Sequence, residues 1–443
     1  MRLADRQTFR EKMETNPYLG PDELLRKKRE FLFPCLYHFY SRPMQIVRGE
    51  GVYLFDHEGK RYLDCYSGVS TAVLGHAHPE VTAAVREQAG TLVHTTTIYL
   101  TQPMIQLAER LAELAPGDLK RSFFCASGSE AVETAVLLAE IYTGRPEVIA
   151  LKGSLHGRTK LGMSLTGLEM WRTDPFPVPS VTHICNPYCF RCPLGKTFPE
   201  CGLACAEEVD RAIRDKGEEK VAAILLEPIQ GNGGIVVPPP GYLTRTAQIA
   251  REHGALLILD EVQTGFGRTG ASFACDHIGL VPDVLCLSKS LGNGYPIAAT
   301  MTTDEIAAAY TRPGASTYGG NLVCATAAQV VLEVLTRDHL AQEAFRLGIA
   351  LEEWLTQLME RHHLVGDVRG RGLMWGIELV ETDGQPATSR TDAVLERLKD
   401  DGFLLGKTGP GRNVLTLMPP LVVSLSQLEE LVGALDSCLS CFS

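Results

Sequence analysis

The chain has 443 residues, of which 45% are hydrophobic and 21% charged, and carries a formal net charge of -11. Length and composition exclude a disordered or fibrous protein and leave room for two domains around a large core. No dense block of Lys and Arg provides the basic footprint of a nucleic-acid binder, and the longest apolar runs, such as 222–226 and 255–259, fall well short of the roughly 20 residues of a membrane helix.

The first 23 residues mix Arg, Asp, Glu and Lys without an apolar run or a small-residue cleavage site, so the chain reads as cytoplasmic. Its thirteen Cys are then expected to be reduced thiols, most of them buried as small hydrophobes. Residues 51–64 alternate apolar and polar side chains around the turn signal His57-Glu58-Gly59, which predicts a β-hairpin. From about 76 to 325, short apolar runs at 122–125, 148–151, 221–226, 256–259, 284–287 and 296–301 alternate with segments long enough for crossover helices. This pattern predicts an α/β fold with a mostly parallel sheet covered by helices on both faces. The tail predicts helices near 322–335 and 339–360, a Gly-punctuated strand at 368–379, a helix at 391–401, a strand at 413–418 and a last helix at 426–439. The expected organisation is therefore an N-terminal segment, 1–75, packing with a smaller α+β domain, 326–443, beside a large domain, 76–325.

Ligands of parallel sheets gather at the carboxyl ends of the strands, and three motifs lie there. In LLILDEVQTG (256–265) a buried strand runs into Asp260, a carboxylate that needs a cationic partner. In LCLSKSLGNG (285–294) another strand ends near Lys289, which in a dry pocket becomes a nucleophile towards an aldehyde. In SFFCASGSEA (122–131) a strand, a tight turn and a helix start offer backbone N–H groups and the hydroxyls of Ser127 and Ser129 to a phosphate. Pyridoxal 5'-phosphate needs a Schiff-base lysine, a carboxylate at its pyridine nitrogen and an anchored phosphate. Lys289, Asp260 and the Gly128-Ser129 turn supply all three. A binding module that kept only the fold would be expected to have lost the lysine or the acid.

These motifs, together with LGHAHP (74–79), EPIQG (227–231), GFGRTG (265–270), TYGGN (317–321) and PPL (419–421), resemble the class III aminotransferases, pyridoxal-phosphate enzymes of fold type I, over nearly the whole chain. The resemblance implies transfer of an amino group from a primary amine or amino acid to a keto acid. It implies that Lys289 joins the cofactor, Asp260 bonds the pyridine nitrogen, Val262 packs on the ring and Gln263 reaches the ring hydroxyl. Ser127, Gly128 and Ser129 would hold the phosphate, with Thr317 contributed by the second subunit of a homodimer. Residues near Tyr99 and Tyr318 of that subunit would line the substrate pocket.

Two positions depart from the family pattern. Leu155 precedes His156-Gly157 where relatives carry Tyr or Phe, so it covers the ring by dispersion alone, and His156 is either a cofactor contact or a core histidine. Thr416 stands three residues before Pro419, where many relatives place the Arg that grips a substrate carboxylate. Glu227, the partner of that Arg in relatives, must then find another cation, accept a proton or bind the substrate, and it counts as catalytic with Lys289 and Asp260. Arg158, Arg172 and Arg412 are the candidate replacement anion sites. The stretch HGRT (156–159) with SLTG (164–167) and MWR (170–172) is also similar to class III lyases acting on aminoethylphosphonate compounds, which makes elimination of ammonia or phosphate the alternative reaction.

Residues 185–205 form a Cys-rich insertion. Cys189, Cys192, Cys201 and Cys205 have spacing that can close a structural zinc site or, less readily, an iron–sulfur cluster, but the favoured expectation is a proline-stiffened surface loop with its thiols turned inward. No residue is assigned to a catalytic metal.

Overall fold

The computed structural model describes residues 18–442, so most of the charged N-terminal stretch read above lies outside the described residues. In chain order the strands begin with β1 (Ile46–Glu50), β2 (Tyr53–Asp56) and β3 (Arg61–Asp64). They continue with β4 (Arg121–Cys125), β5 (Glu147–Leu151), β6 (Val181–Ile184), β7 (Val221–Leu226), β8 (Leu256–Asp260), β9 (Val284–Leu287) and β10 (Ala298–Thr302). The last are β11 (Val365–Arg371), β12 (Met374–Leu379), β13 (Phe403–Leu404), β14 (Gly406–Thr408) and β15 (Val414–Leu417).

Strands β4 to β10 make one seven-stranded sheet in the order β4-β10-β9-β8-β7-β5-β6. β10 is antiparallel to both of its neighbours, and the other six strands run the same way. Every residue of β7, β8 and β9 is buried, because each strand feeds two cores at once. Leu226, Leu259 and Leu287 face one core, while Leu225, Ile258 and Cys286 face the other. The expected parallel α/β sheet is present. β6, a short and half-buried edge strand, was not foreseen, since four residues reading VTHI carry too weak an apolar signal.

The N-terminal hairpin lies in a four-stranded sheet, β1-β2-β3-β13, whose last strand comes from the C-terminal tail. Phe403 pairs with Leu63, which joins the N-terminal hairpin to a strand of the C-terminal tail. The predicted single strand at 368–379 is instead two strands, β11 and β12, paired with Arg371 opposite Met374. Its glycines mark a hairpin turn rather than punctuation within a strand. β11 and β12 join β15 and β14 in a second four-stranded sheet, backed by the helix Leu340–Arg361.

The Cys-rich insertion is docked, not loose. Buried Glu378 on β12 accepts hydrogen bonds from Tyr188 Oη and, at 2.5 Å, from Arg191 Nε, and it pairs with Arg369 Nη2 at 2.9 Å. Cys205 is buried, Cys185, Cys192 and Cys201 are partly buried, and Cys189 is exposed. Among the described residues no group of three or more His, Cys, Asp or Glu is placed to hold a metal ion, so the structure does not support zinc at Cys189, Cys192, Cys201 and Cys205. Across the chain seven of the thirteen Cys are buried, in keeping with their reading as small core side chains. No helix of the described residues is long and apolar enough to cross a membrane.

Candidate active site

The carboxyl ends of β4, β7, β8 and β9 open on a cavity of about 230 Å³ lined by Lys289, Asp260, Glu227, Gly128, Ser129, Leu155, His156, Val262 and Gln263. Nine of the eleven residues singled out in the sequence therefore meet at one place. The exceptions are Ser127 and Thr317.

Asp260 is the last residue of β8 and only 5% exposed. Its Oδ2 lies 2.8 Å from His156 Nδ1, and its Oδ1 accepts the Val262 N–H at 3.1 Å. A carboxylate only accepts, so Nδ1 carries the proton of the His156 contact. The other ring nitrogen, Nε2, is buried without a hydrogen-bond partner among the described residues. Lys289 follows β9 and starts a short 3-10 turn, with φ at 40°. This left-handed backbone costs a non-glycine residue roughly 1–2 kcal/mol, and such strain is typically held at functional positions. Burial lowers the Lys289 amine from its ordinary pKa, against the opposing pull of Asp260 and Glu227.

Glu227 follows β7 and is 7% exposed. The cation that the sequence left open is not what it finds: Oε1 accepts the Leu155 N–H at 2.8 Å and Oε2 the Gly231 N–H at 3.0 Å. Burial pushes its pKa up to about 7, with His156 and the two backbone bonds pulling the other way and Asp260 adding to the rise. Glu227 thus exchanges a proton near neutrality.

The 16-residue helix Gly128–Thr143 starts at the cavity. Ser127 is its N-cap: the hydroxyl accepts the Glu130 N–H at 3.3 Å and donates to Glu130 Oε2 at 3.1 Å, so it is engaged in capping and does not line the cavity. Gly128 sits so close to Val262 that a Cβ there would come within 3.0 Å of Cγ1. Ser129 Oγ accepts the Arg158 N–H at 3.0 Å. Gly128 and Ser129 line the cavity, so it meets the N-terminal, positive end of this helix.

Thr317 is exposed on a turn and takes no part in the cavity of its own chain. Thr416 is fully buried in β15 and shares a 2.7 Å hydrogen bond with the Thr408 hydroxyl, so the clamp position holds no cation. Gln263 donates from Nε2 to Met418 Sδ at 3.2 Å. Of the candidate anion binders, Arg158 lines the cavity and Arg172 and Arg412 do not. Gly157, Ser288 and Asn232 also line the cavity and were not assigned a role in advance. Gly157 and Ser288 adjoin residues that were. Asn232 arrives on the loop after β7, placed by the Gly409 N–H that bonds its carbonyl at 3.0 Å, a contact with no local sequence signal.

A model of the family Aminotransferase class-III matches residues 38–439. The chain is 40% identical over 429 residues, 96% of its length and 89% of the relative's, to alanine--glyoxylate aminotransferase 2 homolog 2, mitochondrial, of Arabidopsis thaliana. Among solved structures, a Bacillus anthracis aminotransferase superposes with a TM-score of 0.89 at 32% identity, covering 95% of this chain and 98% of that one. An amine transaminase from an uncultivated Pseudomonas species, in its PLP-bound form, superposes with a TM-score of 0.87 at 30% identity over 93% and 98% of the two chains. The chain belongs to the class III aminotransferases, the pyridoxal-phosphate-dependent transaminases of fold type I.

Proposed function

We propose that the 230 Å³ cavity binds pyridoxal 5'-phosphate and moves an amino group from a primary amine or amino acid to a keto acid. The observation that carries this reading is the convergence of Lys289, Asp260 and the open start of the Gly128–Thr143 helix on one cavity. The donor set fits the group: an amine for its aldehyde, a buried acid for its ring nitrogen and unengaged N–H groups for its phosphate. When bound, the cofactor supplies the carbonyl that takes up the substrate amine and a ring that withdraws electrons from the carbon beside it.

The protein does the rest. Lys289 would hold the aldehyde until the substrate amine displaces it, and its freed amine, whose pKa burial lowers, would then take the Cα proton and return it one position away. Asp260, fixed by His156 and by the Val262 N–H, holds positive charge at the ring nitrogen. Leu155 and Val262 supply apolar cover, Gln263 reaches for the ring hydroxyl, and Gly128 and Ser129 hold the phosphate. Glu227 in its protonated form offers an O–H to the substrate. Thr317 serves the phosphate of a second copy in a homodimer. Its exposure supports that role, as do the bare apolar side chains of Ile98, Tyr99, Leu100 and Tyr318.

The missing cation at Thr416 favours a second reading, elimination of ammonia or phosphate from a small amino-phosphonate or amino-phosphate. Incubation of holoenzyme with an amine and no keto acid separates the two. One equivalent of amine consumed, with the cofactor left in its amino form, establishes transfer; continuous ammonia release establishes elimination.

A further inference from the structure

Arg412 is a cation without an acid. Among the described residues it forms no ion pair, whereas nearby Arg369, Arg191 and Lys407 are paired with Glu378, Glu378 and Asp392. One edge of its guanidinium is fixed, Nη1 donating to the Lys407 carbonyl at 2.7 Å. Its Cζ lies 5.7 Å from the centroid of the Tyr37 ring and 5.4 Å from that of Phe39. The box extends from there, Tyr37 packing on Trp171 at 5.9 Å and Phe39 on Tyr66 at 6.1 Å between ring centroids. A second and independent donor belongs to the same cluster: Trp171 Nε1 is buried with no hydrogen-bond partner.

Two routes join this box to the active-site wall. The Arg412 N–H bonds the Gly409 carbonyl at 3.0 Å, and the Gly409 N–H bonds the carbonyl of cavity-lining Asn232 at 3.0 Å. Tyr66 packs in one cluster with Met418, whose sulfur accepts from Gln263. Arg412 also leads into β15, the strand that carries Thr416, so the cation absent at 416 stands four residues upstream.

We propose that Arg412, assisted by the Trp171 indole N–H, binds the anionic end of the amine substrate, a carboxylate or a phosphonate. The proposal rests on the transaminase reading of the cavity. The aromatic rings cover the face of the guanidinium, while its Nε and Nη2 edge keeps the fork geometry that an oxyanion accepts in bidentate fashion. The indole N–H supplies a third bond and is itself satisfied by the same ligand.

The test uses three amines of one shape: 3-aminopropanoate, 2-aminoethylphosphonate and 3-methylbutylamine, which lacks an anionic end. Kinetics of wild-type holoenzyme are compared with those of Arg412→Gln, Arg412→Lys and Trp171→Phe. Arg412→Gln raises KM for the preferred anionic amine roughly 10- to 100-fold with kcat nearly unchanged, and leaves 3-methylbutylamine within about two-fold. Arg412→Lys recovers part of the loss, and Trp171→Phe, which keeps the ring, gives a smaller one. The anion with the larger loss identifies the source. Calorimetric titration of the same proteins with propanoate and methylphosphonate reads the site without turnover: binding in wild type and its loss in Arg412→Gln support the proposal even if no amine reacts, a result that would count against the transaminase reading alone. Equal loss on all three amines, or anion binding indifferent to residue 412 or absent in wild type, overturns it.

Discussion

His156 and Asp260 form a buried pair, the ring Nδ1 2.8 Å from the carboxylate Oδ2, with the histidine side chain wholly enclosed. The histidine keeps the acid oriented at the end of β8 and supplies a counter-dipole that a desolvated carboxylate needs. Asp260→Asn is therefore expected to lower kcat by roughly 100-fold or more by withdrawing the charge at the ring nitrogen, on the scale of losing a positioned acid–base partner. His156→Asn, which leaves the acid in place but less fixed, lowers it less. Steady-state kinetics of the two variants, with circular dichroism to establish folding, check the order. A His156 variant worse than the Asp260 variant would reverse the roles.

Glu227 sets a pH dependence with a definite sign. Its pKa rises on folding from 4.5 to about 7, so the unfolded chain loses this proton first as pH rises. The stability that belongs to the raised pKa is complete below pH 4.5 and is lost as pH rises through 7, a swing of roughly 3 kcal/mol. Urea midpoints between pH 5 and pH 8 should fall more steeply in wild type than in Glu227→Gln, which does not titrate. Parallel slopes would contradict the shift.

Gly157 has φ at 126°, and a Cβ there would lie 2.5 Å from Ser129 Oγ and 2.9 Å from Ser129 Cα. The backbone of Ser129 cannot swing aside without moving the start of the helix. Gly157→Ala should therefore weaken cofactor retention by about ten-fold or more while sparing the fold, on the scale of one or two lost phosphate bonds. Cofactor release on dialysis, followed by absorbance, reads the effect.

Glu378 is the acid that docks the Cys-rich insertion. Burial raises its pKa, but Arg369, Tyr188 and Arg191 outweigh that and hold it below the ordinary carboxylate value. A depressed pKa contributes stability above pH 4.5 that is lost as pH falls. Glu378→Ala leaves half-buried Arg369 with Asp367 as its remaining acid, and breaking such a pair costs up to about 3–5 kcal/mol. Urea unfolding at pH 7.5 should show that loss, and at pH 4 the gap between variant and wild type should narrow.

Asp260 and Lys289 were legible because β8 and β9 are unbroken apolar runs that stop abruptly, whereas Glu227, which follows the equally apolar β7, came only through the family resemblance. Long-range contacts were not legible. Asn232 reaches the cavity through a backbone bond from Gly409, and the Thr416 hydroxyl meets Thr408 across a strand pair. Ser127 carried the right residue type for a phosphate contact, yet the same Ser-x-x-Glu spacing that marks a capping residue engages it with Glu130. Spacing of the four Cys suggested a metal, whereas the path of the insertion is set by Glu378, far along the chain.

If the lysine after β9 carries the cofactor, borohydride reduction of holoenzyme followed by peptide mass mapping shows it. The visible band is lost and one pyridoxyl label appears, on Lys289, with none acquired by Lys289→Ala. A label on another lysine, or a protein that takes up no pyridoxal phosphate, would contradict it.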